Sequence, residues 1–122
     1  MSLQRAAIAI SLGRVALGLG LVAPPGRIGQ SWIGVAGTER SVEVLSRAVG
    51  ARDVALGAGA ARALLAGGES PRWWLLAQAA SDTGDLVATL RAREALPTLG
   101  WRATAALAGG SALVTALAAA RS

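Results

Sequence analysis

Cysteine, histidine, lysine, tyrosine and phenylalanine are all missing from this chain of 122 residues. Without cysteine there are no disulfides, no thiolate nucleophile and no thiolate metal site. Without histidine there is no imidazole base and no usual transition-metal ligand, so no metal site is expected. The lack of lysine removes Schiff-base chemistry, and the lack of tyrosine removes a phenol donor. No nucleotide-binding fingerprint is present, and no cofactor is expected. Aromatic residues reduce to four tryptophans. Any proton chemistry falls to a carboxyl group.

Charge is also scarce, at 16% of residues, while 53% are hydrophobic and mean hydropathy is +0.50. The net charge of +5 comes from twelve arginines against seven acidic residues. Those arginines are scattered among apolar stretches rather than gathered on one face with aromatics, so no nucleic-acid partner is expected. Arginines at the ends of membrane spans, at headgroup level, explain them better. Much of the apolar content is alanine and glycine, small residues that let membrane helices approach closely. A soluble, alanine-rich four-helix bundle is the competing reading.

Four apolar stretches stand out, at about 3–23, 42–66, 72–90 and 98–120, and together they form a single domain. The first ends at Pro24-Pro25-Gly26 and the second at Gly67-Gly68, both helix stops. Ser70 is an N-cap candidate for the third, with Pro71 in its first turn. Ala103 to Ala120 holds no charge over 18 residues, the length of a span. Arg14 interrupts the first stretch, which is therefore read as a retained helix rather than a signal peptide. The segment from Gly26 to Arg40 is too short to span; Arg27, Ile28, Trp32 and Ile33 suit chain lying at a membrane surface. Trp73, Trp74 and Trp101 fall at span ends, where interfacial tryptophans anchor. The expected fold is thus all-α, a four-transmembrane-helix bundle in the cell membrane with an inward-facing Arg/Asp centre. Arginine counts give a weak bias towards both termini lying outside the cytoplasm.

The charges that break these stretches lie at their middles. At about 1.5 Å of rise per residue, Arg14, Asp53 and Asp82 fall within roughly 3 Å of the midplane of their spans. Asp85 and Arg52 lie slightly off-centre on one common side, and Arg47 is further out. Helical phase groups them. Gln4, Ala7, Ser11, Arg14 and Gly18 share one face. Arg47, Gly50, Asp53, Gly57 and Ala61 share another, with Arg52 pointing elsewhere. Gln78, Ser81, Asp82, Asp85 and Thr89 form a third stripe, and Thr104, Ala108, Ser111 and Thr115 a fourth. The opposite faces are almost wholly apolar, the inverse of a soluble bundle. Intramembrane charges are costly and are kept when they pair or serve a purpose, so Arg14 is expected to meet Asp82 or Asp53.

Val15-Ala16-Leu17-Gly18-Leu19-Gly20 is echoed by Val54-Ala55-Leu56-Gly57-Ala58-Gly59, preceded by Arg14 and Asp53 respectively. Either the copies relate two helices about a pseudo-two-fold axis, as repeats do in transporters, or a low-complexity composition matches itself by chance. The runs Gly13 to Gly18 and Gly50 to Gly57, with an Asp-bearing third helix, resemble small bacterial four-span membrane proteins loosely similar to the DoxX-like group. That resemblance implies four spans and carries no catalytic residue. Small multidrug-resistance transporters are similar in size but place a Glu where this first helix has Arg14, and the Asn- and Phe/Thr-rich motifs of fluoride channels are missing.

Three functions fit. The leading expectation is binding or proton-linked transport of a small polar or anionic solute in a cavity lined by Arg14, Arg47, Arg52, Asp53, Gln78 and Ser111. Asp82 and Asp85 would donate and accept protons, and transport would call for a homo-oligomer. The alternative is an intramembrane acid–base enzyme, an isomerase, cyclase or epoxide hydrolase, using Asp82 and Asp85 on a lipophilic substrate with Arg14 stabilising negative charge. A scaffold or accessory subunit, in which the charges only fix helix register, is the third.

Overall fold

The computed structural model describes residues 1–23, 26–34 and 39–122. Among these the chain is all-helical, with five α-helices: α1 (Leu3–Val22), α2 (Arg27–Ile33), α3 (Arg40–Ala66), α4 (Arg72–Ala92) and α5 (Thr98–Ala120). A 3-10 turn, Arg93–Ala95, joins α4 to α5. The expected count of four helices is therefore corrected to five. The extra one is the surface segment, where Ile28 and Trp32, four residues apart, share a helical face. Glycines with positive φ bracket it, Gly26 at 81° and Gly34 at 83°. The expectation of four spans is corrected too. Among the described residues only α1 and α5 are long and apolar enough to cross a membrane. Helices α3 and α4 carry charge in their interiors instead: Arg47, Arg52, Asp53 and Arg62 on α3, Asp82 and Asp85 on α4.

Local signals set the ends. Ser2 caps α1, its hydroxyl accepting from the Arg5 amide at 3.2 Å. The expected stop at Pro24-Pro25 lies outside the described residues. A left-handed Gly67 (φ 66°) closes α3, because glycine adopts that conformation without a Cβ penalty. Pro71 rather than Ser70 occupies the N-cap of α4, and the Ser70 hydroxyl accepts from the Arg72 amide at 3.4 Å.

The long helices associate as two pairs, α1 along α3 and α4 along α5, and the pairs touch each other far less. Glycine makes the α1–α3 seam. A Cβ on Gly18 would lie 2.6 Å from the Gly50 carbonyl oxygen and 2.9 Å from Val54 Cγ2. One on Gly57 would lie 2.5 Å from the Ser11 carbonyl oxygen and 2.8 Å from Val15 Cγ2. The two helices run antiparallel, and these contacts are equivalent under the offset that maps Val15 to Val54 and Gly18 to Gly57. The echoed motif thus supplies part of the seam, through paired contacts related as by a pseudo-two-fold axis.

Along the bundle three zones follow. Beside the chain termini, Ala7, Leu75, Ala118 and Ala119 form a small apolar core, with Leu3, Leu64 and Leu76 against it. Polar side chains fill the middle. At the far end α2 packs against both α1 and α5. Gly20 faces Ile28 there, and the carbonyl oxygens of Ser31 and Trp32 press so closely on Gly100 that no Cβ fits.

Candidate functional site

The middle of the bundle is polar where an ordinary core is apolar. Ser11, Arg14, Asp53, Gln78, Asp82, Thr89 and Thr115 are buried, whereas Leu12, Leu17, Leu107 and Leu113 are each about half exposed or more. Buried polar groups must be hydrogen-bonded, and charges must be paired as well. Here one arginine does most of that. Arg14, 6% exposed, uses its whole guanidinium. Its Nε donates to Gln78 Oε1 at 3.2 Å, its Nη1 to Asp53 Oδ1 at 2.8 Å and its Nη2 to Asp82 Oδ1. Gln78 Nε2 in turn donates to Ser11 Oγ at 3.1 Å, and Ser11 Oγ donates to the Ala7 carbonyl at 2.8 Å. Ser111 Oγ, from α5, donates to Asp82 Oδ2 at 2.5 Å. All four long helices meet at this cluster.

A second guanidinium closes it on the outer side. Arg52 Nε and Nη2 donate to Asp53 Oδ1 at 3.1 and 3.0 Å, while Nη1 and Nη2 reach Asp85 Oδ1 and Oδ2 at 3.2 and 2.7 Å. The bond to Asp85 is a two-pronged pairing of the kind that suits a planar guanidinium. Arg52 side-chain exposure is 34%, so this pair sits at the rim rather than in the interior.

The structure thus brings together Arg14, Arg52, Asp53, Gln78, Asp82, Asp85 and Ser111. It does not bring in Arg47, which pairs with Glu43 one turn away at 2.7 Å on an exposed face. Helical phase placed Arg47 with Asp53, but it lies too far along the axis to reach the cluster. Arg52 was expected to point away; its long side chain folds back over its neighbour Asp53. Of the expected polar stripes, Gln4 alone on α1 is exposed. Ser81 holds a buried hydroxyl without a partner among the described residues.

Beside the cluster lies an open cleft of about 990 Å³ between α1 and α5. Ile10, Gly13, Leu17 and Leu21 of α1 form one wall; Ala103, Leu107, Gly110 and Val114 of α5 form the other. Arg14, Asp53, Asp82, Asp85 and Ser111 line its polar part, and Ile28, Gln30, Ser31 and Trp32 of α2 its end. A Cβ on Gly13 or Gly110 would meet nothing within 4 Å. Trp32, for which the sequence favours anchoring at the membrane surface over lining a pocket, lines this one. Its Nε1 donates to Thr89 Oγ1 at 3.2 Å, tying α2 to α4. The signal lay in the glycines flanking α2, which mark off a helical turn.

Comparisons with protein-family models, curated proteins and solved structures find no match. The cluster must be read from its own chemistry. Among the described residues no group of three or more carboxylates stands where it would hold a metal ion. Guanidiniums and the Ser111 hydroxyl already engage every oxygen of Asp53, Asp82 and Asp85 except Asp53 Oδ2. What remains is a polar cluster beside a largely apolar cleft, the form that small-molecule sites commonly take.

Proposed function

We propose that this is an integral membrane protein, entering the bilayer through α1 and α5, that binds a small molecule with an apolar body and a polar head in the cleft between them. Binding there is the recognition step of transport across the membrane. The observation that carries this reading is the cleft: about 990 Å³, walled by aliphatic side chains and floored by Arg14, Asp53, Asp82 and Ser111. The exposed leucines of α1 and α5 support the membrane setting, since a soluble surface seldom presents so much contiguous apolar area. The likeness of the Gly13–Gly18 and Gly50–Gly57 runs to DoxX-like membrane proteins belongs to the same proposal.

Binding is favoured over acid–base catalysis by the engagement of the carboxylates. Asp82 accepts on both oxygens, from Arg14 and Ser111, and Asp85 on both from Arg52. Every oxygen of the two already carries a donor, an arrangement that suits a fixed counter-ion better than a proton-exchanging group. The cleft lies within one chain, so binding itself needs no second copy.

Thermal unfolding in detergent against a panel of small amphiphiles tests the proposal. A ligand that binds only the folded state raises its stability by mass action. A saturable rise with at least one panel member, abolished by Gly110→Leu in the cleft wall, is expected. A flat response across cations, alcohols and acids would contradict it.

A further inference from the structure

We propose that the cleft takes a monovalent organic cation with an apolar body, an inference that rests on the cleft being a binding site. Charge carries it. Two guanidiniums, Arg14 and Arg52, face three carboxylates, Asp53, Asp82 and Asp85. By formal charge, two guanidiniums against three carboxylates leave one negative charge in excess. The other elements do not offset it, because the cleft-lining residues of α2 and α5 are uncharged. An unmatched charge facing a low-dielectric space is unfavourable until a counter-charge joins it.

The distribution of hydrogen bonds says where the excess is felt. Asp53 Oδ1 takes all three bonds from Arg14 and Arg52. Among the described residues, Asp53 Oδ2 accepts none, although Asp53 is only 9% exposed and lines the cleft. That is a carboxylate oxygen without a donor, on a nearly buried residue that lines the cleft, and the oxygen itself is not sealed from it. An anion would find both guanidiniums already taken. A divalent metal would need several free oxygens, and the cluster offers one. An organic cation needs a single carboxylate for its charge and apolar walls for its body. Ile10, Leu17, Leu107 and Val114 supply those walls. Trp32 lines the same space, and an indole attracts a quaternary ammonium through its π-face.

Titration calorimetry of the full chain in detergent distinguishes the outcomes, using benzyltrimethylammonium, benzyl alcohol and phenylacetate as probes matched in their apolar part. Benzyltrimethylammonium is expected to bind saturably and at least tenfold more tightly than either of the others. Asp53→Asn, which balances the cluster, is expected to weaken it at least tenfold. Asp85→Asn balances the same charge from the rim and gives the same loss, so the test survives if the buried variant does not fold. Arg47→Ala, outside the cluster, leaves binding unchanged. If the alcohol or the acid binds as tightly as the cation, or if both Asn variants keep full cation affinity, the cation assignment is overturned while the cleft remains a binding site. If none of the three probes binds, the binding reading falls with it.

Discussion

Helix α1 has two sides that solve opposite problems. Towards α3 it is closed, with Gly18 and Gly57 bringing backbone against backbone at positions where no Cβ fits. Towards α5 it is open, and Gly13 and Gly110 face empty space across the cleft. The glycines look alike in sequence, yet only one set is needed for close approach. Arg14 stands between the two sides and binds both, to Asp53 across the closed seam and to Asp82 across the junction of the helix pairs. Small residues thus join α1 to α3, while ions hold that pair to α4 and α5.

The sharpest way to break this division is to remove its central cation. Arg14→Met leaves Asp53 and Asp82 buried without their shared partner, and breaking a buried pair in this way costs about 3–5 kcal/mol. Unfolding in detergent is expected at much lower temperature, or the chain fails to accumulate. Gly57→Ala attacks the closed seam. The obstructing atoms there include backbone of Ser11 and Val15, which cannot swing aside, so a loss of about 1–3 kcal/mol is expected from overpacking. Gly110→Ala on the open side should go the other way. It replaces a helical glycine where there is room, and gains about 0.5–1 kcal/mol in the same assay. If Gly57→Ala and Gly110→Ala behave alike, the distinction between seam and cleft is wrong. The smallest effect belongs to Arg47→Ala, which removes an exposed pair with Glu43 worth about 0.3–0.5 kcal/mol.

Much of this arrangement was legible in the sequence. The stripes through Arg14, Asp53 and Asp82 follow from helical period and from the cost of charge in an apolar stretch, both of which act locally along one helix. The exchange of Arg47 for Arg52 shows where that reasoning ends. Phase ranks Arg47 with Asp53, but six residues of rise separate the two by about 9 Å, and Glu43 offers a nearer partner. Arg52 is off-phase, yet its flexible stem lets the guanidinium return to Asp53 and Asp85. Side-chain reach is not encoded in periodicity. The short helix α2 resembles surface chain in sequence because seven residues are too few to display a period, and its role depends on contacts to α1 and α5 that no local pattern announces. Length and alanine content alone suggest four spans, but the charges on α3 and α4 leave only α1 and α5, among the described residues, apolar enough to cross. The echo of Val15–Gly20 in Val54–Gly59 allowed either symmetry or chance in sequence alone. The paired contacts Gly18–Val54 and Gly57–Val15 favour symmetry.

Alkaline carbonate extraction of membranes from cells expressing the full chain is the most direct measurement of whether apolar side chains face lipid while the ions meet inside. The account predicts that the protein stays in the membrane pellet and is released only by detergent. Recovery in the aqueous supernatant as a monomer that stays folded without detergent would contradict it.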